Sequence, residues 1–189
     1  MNFSDSIQQS GGLVKYSPNG AFVAIAKAFD VKVSYTSTLT YFKLFETQSL
    51  KPLVTHSFSD LVSQIEWSKD GNLILIGVEK RGLAFAKSVH DPDWTCRVDE
   101  GLAGLAFCKW APTSRHILTV SEFKLKLTIW SLIDQSVQYI SFPKHESTGI
   151  DFSPDGKLMA VALKGDEQTA STSDKFANDV IAIFSVSQK

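Results

Sequence analysis

The sequence contains one phrase four times: an apolar strand, a short turn rich in Ser, Pro, Asn, Asp and Gly, and a second apolar strand. The copies read VKYSPNGAFVAIA, IEWSKDGNLILIG, CKWAPTSRHILTV and IDFSPDGKLMAVA. Their turns begin, in order, at Ser17, Ser68, Ala111 and Ser153. Successive copies are therefore separated by roughly 40 to 50 residues, a period typical of a repeat architecture rather than of one irregular domain.

The turn in each copy predicts a β-hairpin. In residues 17–20 and 153–156 the order is Ser-Pro-Asn-Gly or Ser-Pro-Asp-Gly. Proline presets φ at the first central position, Asn or Asp suits the second, and Gly accepts the left-handed conformation that leads into the return strand. We therefore expect hairpin turns at residues 17–20, 68–71, 111–114 and 153–156.

The strands around these turns predict a four-stranded antiparallel sheet in each repeat. The return strands, such as AFVAIA and LILIG, are apolar on successive residues, so both faces of each hairpin must be covered. A third β-rich run follows every return strand, and three repeats add a fourth at residues 52–56, 94–98 and 137–142. Four-stranded sheets stacked face to face are the blades of a β-propeller.

We thus predict an all-β fold, an incomplete propeller arc of about four blades. The predicted blades are residues 1–57, 58–101, 102–144 and 145–189, and the last of them ends after its third strand. Four blades lie at the lower limit of the propeller range. We expect the chain to be a fragment, the product of a short gene model, or an arc that a partner or a second copy completes.

Composition and charge limit the possible functions. Of the 189 residues, 43% are hydrophobic, which is enough for a substantial core, and the net charge of −1 gives no general attraction to nucleic acid or anionic membranes. No apolar run approaches the ~20 residues of a membrane span. The two cysteines, Cys96 and Cys108, fit structural thiols in a reducing compartment. We expect a cytosolic protein.

The sequence lacks several motifs that are typical of catalytic and metal-binding sites. The sequence has no Gly-x-Ser-x-Gly elbow, phosphate-binding glycine loop or dinucleotide-binding motif. The four histidines lie in different repeats, without the paired spacing of a metal site: His56, His90, His116 and His145. We expect no enzyme activity, no cofactor and no metal.

Short phrases around the hairpins are similar to those of a known repeat. Two hairpins carry Trp-Ser or Phe-Ser-Pro-Asp-Gly, and a third strand ends in Trp130-Ser131. These phrases resemble degenerate WD repeats, in which the Trp-Asp dipeptide is reduced to Trp130-Ser131 and the Gly-His dipeptide is missing. The resemblance implies a propeller that binds other proteins.

Longer phrases resemble one particular family of WD-repeat proteins. They lie at residues 1–4, 65–68, 80–83, 94–101, 114–118, 122–132 and 136–144. They are similar to the family called WD repeat-containing protein eight, whose members are much longer than this chain. The resemblance implies a non-enzymatic adaptor of the cytoplasm and cytoskeleton, at the centrosome, spindle pole or basal body. Such an adaptor would help to anchor microtubule minus ends, organise the spindle and support cilium assembly with a coiled-coil partner.

Loops offer the best predicted binding surface, because the strands of a propeller are used for packing. The loops between second and third strands, and those leading into the next blade, emerge on one rim in WD propellers. Mixed charge on this rim suits pairing with a protein. The candidate residues are Glu79, Lys80, Arg81, Asp99, Glu100, Glu122, Lys144, His145 and Glu146. For any one of them, an ordinary solvated loop is the alternative.

Two other groups of residues permit a binding role or a structural one. Trp67, Trp110 and Phe152 precede equivalent turns, so packing between blades is favoured over a platform that stacks on bases. Lys124 and Lys126 alternate with leucines in a predicted strand, as a solvated edge or as a basic stripe for phosphates or acidic tails.

Two functions therefore stay open. The first is the spindle-pole or basal-body scaffold that the resemblance implies. The second is a propeller module of an enzyme or of a translation-associated protein, whose activity would lie in sequence outside this chain. The polar segment 165–177 is predicted to be a mobile loop in either case, because it has too little apolar surface to offset the entropy of ordering.

Overall fold

The computed structural model describes residues 12–31, 37–165 and 179–186, and within them the chain forms fifteen strands in four antiparallel sheets. The first sheet contains β1 Leu13–Tyr16, β2 Phe22–Val31, β3 Ser37–Glu46 and β4 Pro52–Phe58. The second contains β5 Val62–Trp67, β6 Leu73–Val78, β7 Leu83–Ser88 and β8 Thr95–Asp99.

The other two sheets follow the same plan. The third contains β9 Phe107–Trp110, β10 His116–Val120, β11 Lys126–Ser131 and β12 Val137–Ser141. The fourth contains, among the described residues, β13 Ile150–Phe152, β14 Leu158–Leu163 and β15 Val180–Ser185. In every sheet, strands that are consecutive in the chain are neighbours. The predicted all-β architecture is confirmed, whereas the residue limits of the four blades stay a prediction.

The four predicted hairpin turns are also confirmed, since each joins the first two strands of a sheet. In the first turn, Ser17 Oγ donates to Asn19 Oδ1 at 2.6 Å and accepts from the Phe22 amide at 2.9 Å. The turns at 68–71 and 153–156 repeat both bonds, with an Asp carboxylate in place of the Asn amide. Local side-chain chemistry therefore fixes these turns.

Two-sided burial holds the sheets together. On β6, Ile74, Leu75 and Ile76 are all buried, yet they belong to two different cores. Ile74 and Ile76 pack against the first sheet, whereas Leu75 packs against the third. Strand β10 has the same arrangement, with Ile117 in the core shared with the second sheet and Leu118 in the core shared with the fourth. Each middle sheet is thus covered on both faces.

Two tryptophans connect successive sheets through the backbone. Trp67 Nε1 donates to the Lys15 carbonyl of β1 at 3.1 Å, and Trp110 Nε1 donates to the Glu66 carbonyl of β5 at 3.2 Å. Both indoles are buried, so packing between blades is confirmed as their role. Tyr16 occupies the equivalent position in the first repeat and is exposed.

Side chains of β5 also hold the backbone of β9 and of Ala106, the residue before it. Gln64 Oε1 accepts from the Cys108 amide at 2.9 Å, and Gln64 Nε2 donates to the Ala106 carbonyl at 3.0 Å. Two residues further, Glu66 Oε2 accepts from the Trp110 amide at 3.0 Å. Desolvation by burial raises the pKa of the Glu66 carboxyl, against the opposing effect of this hydrogen bond. The second and third sheets are therefore fixed in register by side-chain to backbone bonds.

The structure departs from the sequence prediction at short turns. Within the described residues, the helical elements are three 3-10 turns, at Glu79–Arg81, Gly101–Ala103 and Glu122–Lys124. The prediction that Lys124 and Lys126 lie in one strand is wrong, because Lys124 ends a 3-10 turn with φ of 55° and strand β11 begins only at Lys126. The basic stripe does not form.

The first repeat has more residues between its second and third strands than the other repeats have. These residues extend β2 and β3 to ten residues each, and the two strands pair as far as Val31 with Ser37. All but the first residue of the predicted loop 165–177 lies outside the described residues.

We predict that Trp110→Ala lowers the free energy of unfolding by about 3–5 kcal/mol, because it removes a buried indole and leaves a cavity between two sheets. Urea denaturation followed by far-UV circular dichroism measures the change. Tyr16→Ala is the matched control, since this side chain is 63% exposed at the equivalent position. A Trp110→Ala loss no larger than that of Tyr16→Ala would contradict the packing role.

Candidate protein-binding rim

Four loops meet at one edge of the second, third and fourth sheets, and together they are called the rim. The loops are residues 79–82, 100–106, 121–125 and 142–149. The Glu100 amide donates to the Gly82 carbonyl at 2.8 Å, which joins the first two loops. The Phe142 amide donates to the Leu125 carbonyl at 3.0 Å, which joins the last two.

Two glycines allow the loops to approach each other closely. Gly82 and Gly104 have φ of 64° and 67°, in the left-handed region that favours glycine. A Cβ atom on Gly82 would lie 2.7 Å from the Gly101 carbonyl oxygen. A Cβ atom on Gly104 would lie 2.6 Å from Cδ of Glu122. The first three loops of the rim are therefore packed against one another without space for a side chain at these points.

Glu100 lies in a rim loop, as predicted, but it is not accessible there. Its side chain is fully buried, and its carboxylate accepts a short hydrogen bond from Thr119 Oγ1 and pairs with Lys126 Nζ at 2.9 Å. Thr119 Oγ1 in turn accepts from Trp130 Nε1 at 2.8 Å. The prediction of Glu100 as an exposed partner-binding residue is wrong, because the chain itself uses this carboxylate to connect the rim to β10 and β11.

Several of the other predicted charges lie on the surface but have partners within the chain. Arg97 pairs with Asp99 at 2.8 Å, and Arg81 lies 3.7 Å from Asp60. Lys124 lies 3.7 Å from Glu146. Exposed pairs of this kind contribute little to stability. They also leave the rim with charges of both signs rather than with a field of one sign.

The remaining predicted residues are placed as follows. Lys80 and His145 are exposed, and Lys144 is half-buried and pairs with Asp179. Glu122 is half-buried against Gly104. The side chain of Glu79 is outside the part of the chain that the structure describes. The structure thus brings the predicted loops together, while the predicted charges differ widely in accessibility.

Sequence reasoning missed four apolar rim residues, which are exposed: Leu102, Phe123, Leu125 and Phe142. Phe123 and Phe142 have positive φ of 62° and 53°. For a residue other than glycine, such a conformation costs about 1–2 kcal/mol. For Phe123 and Leu125 the signal is present in the sequence, because each is a single apolar side chain between polar residues in SEFKLK.

The described residues offer little for chemistry. They contain no cluster of three or more His, Cys, Asp or Glu side chains that could hold a metal ion. Burial raises the pKa of the Cys108 thiol to about 12, so that it stays protonated at neutral pH and is a poor nucleophile. Across the same residues, we find no helix long and apolar enough to cross a membrane.

Comparison with known proteins supports the WD-repeat assignment. No family model matches the chain. The chain is 37% identical over 166 residues to the Mus musculus protein WD repeat-containing protein WRAP73. This alignment covers 88% of the chain and 34% of the mouse protein, so the chain spans about a third of the length of that relative.

Solved structures support the fold. The β-propeller domain of Cps50 (Swd1) from Myceliophteria thermophila superposes with a TM-score of 0.64 at 13% identity, over 88% of this chain and 55% of that one. The Dos1 propeller superposes with a TM-score of 0.58 at 14% identity, over 93% of this chain and 41% of that one. The predicted propeller architecture is confirmed by these similarities.

We predict that Glu100→Ala lowers the free energy of unfolding by about 2–4 kcal/mol, because it leaves Lys126 and Thr119 without their buried partner. Urea denaturation provides the measurement. The neighbouring substitution Asp99→Ala is the control, and it is expected to cost less than about 1 kcal/mol because its ion pair is exposed. Equal losses for the two variants would rule out the special role of Glu100.

Proposed function

We propose that this WD-repeat propeller segment is a non-enzymatic scaffold that binds other proteins through its rim. The observation that carries the proposal is the contrast between strands and loops. The middle strands are buried on both faces, whereas loops from successive sheets are packed into one surface that displays both charged and apolar side chains. Loops held by a rigid framework are where binding surfaces are usually found.

We infer, more narrowly, that the scaffold acts at the centrosome, spindle pole or basal body, within the cytoplasm and cytoskeleton, with a coiled-coil protein as partner. The support is the resemblance of many phrases to WD repeat-containing protein eight, together with the 37% identity to a WD repeat-containing protein along most of this chain. Roles in minus-end anchoring, spindle organisation and cilium assembly follow from the resemblance alone. A propeller module of an enzyme or a translation-associated protein stays an untested alternative.

We also propose that additional sheets, from the same polypeptide or from another chain, cover the two ends of the arc. Ile181 and Ile183 are 73% and 68% exposed on the face of the fourth sheet that points away from the third. At the other end, all four residues of β1 are exposed. The equivalent faces of the second and third sheets are buried by their neighbours.

The test of rim binding uses the full-length protein in dividing cells. Reversing two exposed charges, Lys80→Glu with Arg81→Glu, is expected to reduce co-precipitation of spindle-pole proteins several-fold, because rim charges determine association rate and specificity. The matched control is Lys69→Glu with Lys157→Glu, which makes the same change of charge in hairpin turns at the opposite edge.

Thermal melting of both double variants checks that the blades remain folded. Equal recovery by the rim variant, the control and the parent would remove Lys80 and Arg81 from the binding surface. If the parent recovers no spindle-pole protein at all, the centrosomal proposal fails.

A further inference from the structure

The rim contains a row of apolar side chains with large exposed fractions. Leu102 and Phe123 have exposed fractions of 110% and 81%, and Leu125 and Phe142 are each 51% exposed. Leu102 lies in the loop between the second and third sheets, Phe123 and Leu125 in the loop between β10 and β11, and Phe142 in the loop leading to the fourth sheet. Exposed apolar groups placed together are typical of interaction sites.

The loops that carry the row are held in place. The side chain of Glu122 lies against Gly104, which brings the loop of Leu102 next to the loop of Phe123. The bond from the Phe142 amide to the Leu125 carbonyl brings the last loop beside them. The row therefore runs along the rim from the second sheet towards the fourth, across the third.

Backbone strain adds a second, independent observation. Phe123, Lys124 and Phe142 all have positive φ, although none of them is a glycine. The turn that contains Phe123 is closed by a bond from the Lys124 amide to the Ser121 carbonyl at 3.2 Å. The strained backbone opposes folding, the exposed aromatic rings bury little area to offset that cost, and strained residues tend to cluster at functional sites.

We propose that this row binds the apolar face of an amphipathic α-helix of a partner protein. The proposal rests on the scaffold function of the rim and specifies the kind of partner. A helix presents apolar side chains in a row, at positions i, i+3, i+4 and i+7, and it needs no hydrogen bonds to the backbone of the surface it contacts. An extended peptide would instead need a free strand edge.

The rim backbone is poorly suited to an extended peptide. The Gly104 amide donates to the Gly101 carbonyl at 3.2 Å, and the amides of Lys124 and Phe142 are likewise bonded within the rim. These groups are closed into turns and cannot form a continuous ladder with an added strand. A helix is therefore the favoured occupant.

The charges beside the row suit a helix that carries both signs. Lys124 and Lys144 lie beside the row and pair with Glu146 and Asp179, so the surroundings of the row carry both signs in balance. Helices that form coiled coils carry Glu and Lys on either side of their apolar stripe, and such charges determine which partner is chosen. An anionic lipid surface would instead favour a predominantly basic rim.

The test uses selection of peptides on the purified full-length protein. The probe is a display library of 28-residue peptides with an apolar heptad stripe and random residues elsewhere. Enriched peptides are expected to become helical on binding, as measured by circular dichroism. The double variant Phe123→Asn with Phe142→Asn should weaken their binding about tenfold or more, because exposed aromatic anchors usually dominate an interface.

Two controls separate binding from folding. Asn tolerates positive φ better than Phe does, so the double variant should melt at or above the temperature of the parent; a lower melting temperature would indicate a structural role and overturn the proposal. Ile133→Asn removes an exposed apolar side chain from a loop at the opposite edge and should leave binding unchanged.

Three other results would also overturn the proposal: no enriched peptide, enriched peptides that stay extended, or equal binding by the double variant. The last experiment measures binding of the protein to liposomes of phosphatidylserine and phosphatidylcholine. Liposome binding that the double variant loses would assign the row to a membrane surface instead. The peptide selection and the co-precipitation are independent experiments. If the selection fails while co-precipitation is positive, the helix proposal is rejected and the scaffold function is not.

Discussion

Burial of each middle sheet on both faces is the constraint on which the rest of the structure depends. On β6 and β10, residues that are adjacent in the chain belong to cores on opposite sides of the sheet. A strand used in this way has no side chain left to offer to another molecule. Exposed side chains are instead found on the outer strands and in the loops at the sheet edges, and the close contacts of Gly82 and Gly104 make three of these loops into one continuous surface.

The sequence predicts those parts of the structure that depend on neighbouring residues in the chain. The turn at Ser17 is predictable because the Ser, Asn and Gly that form it lie within four residues, and the burial of Trp110 follows from its regular position before such a turn. The burial of Glu100 was not predictable, since its partners come from β10 and β11. The 3-10 turns were not predicted either, because three residues are too few to show a helical periodicity of apolar residues.

The rim shows why charge alone is a weak guide to a binding surface. Its acidic and basic residues were conspicuous in the sequence, but in the folded chain several of them neutralise one another or are buried. The apolar residues beside them have no such internal use. Phe123 is both exposed and held at positive φ, two unfavourable conditions that a glycine or asparagine would have avoided. A surface of this kind combines charges that guide an encounter with aromatic groups that can prolong it.

The manner in which β5 holds β9 has a consequence for how such a chain can diverge. Gln64 and Glu66 bond to two amides of β9 and to the carbonyl of Ala106 before it, and Trp110 bonds to a carbonyl of β5, so these four links address the backbone of the neighbouring sheet. One weaker contact, from Cys108 Sγ to Gln64 Oε1, joins two side chains. Every residue except proline offers the same backbone groups. At the positions that supply only these backbone groups, the sequence of β9 can change without loss of alignment, whereas Gln64, Glu66 and Trp110 supply the side chains that make the bonds.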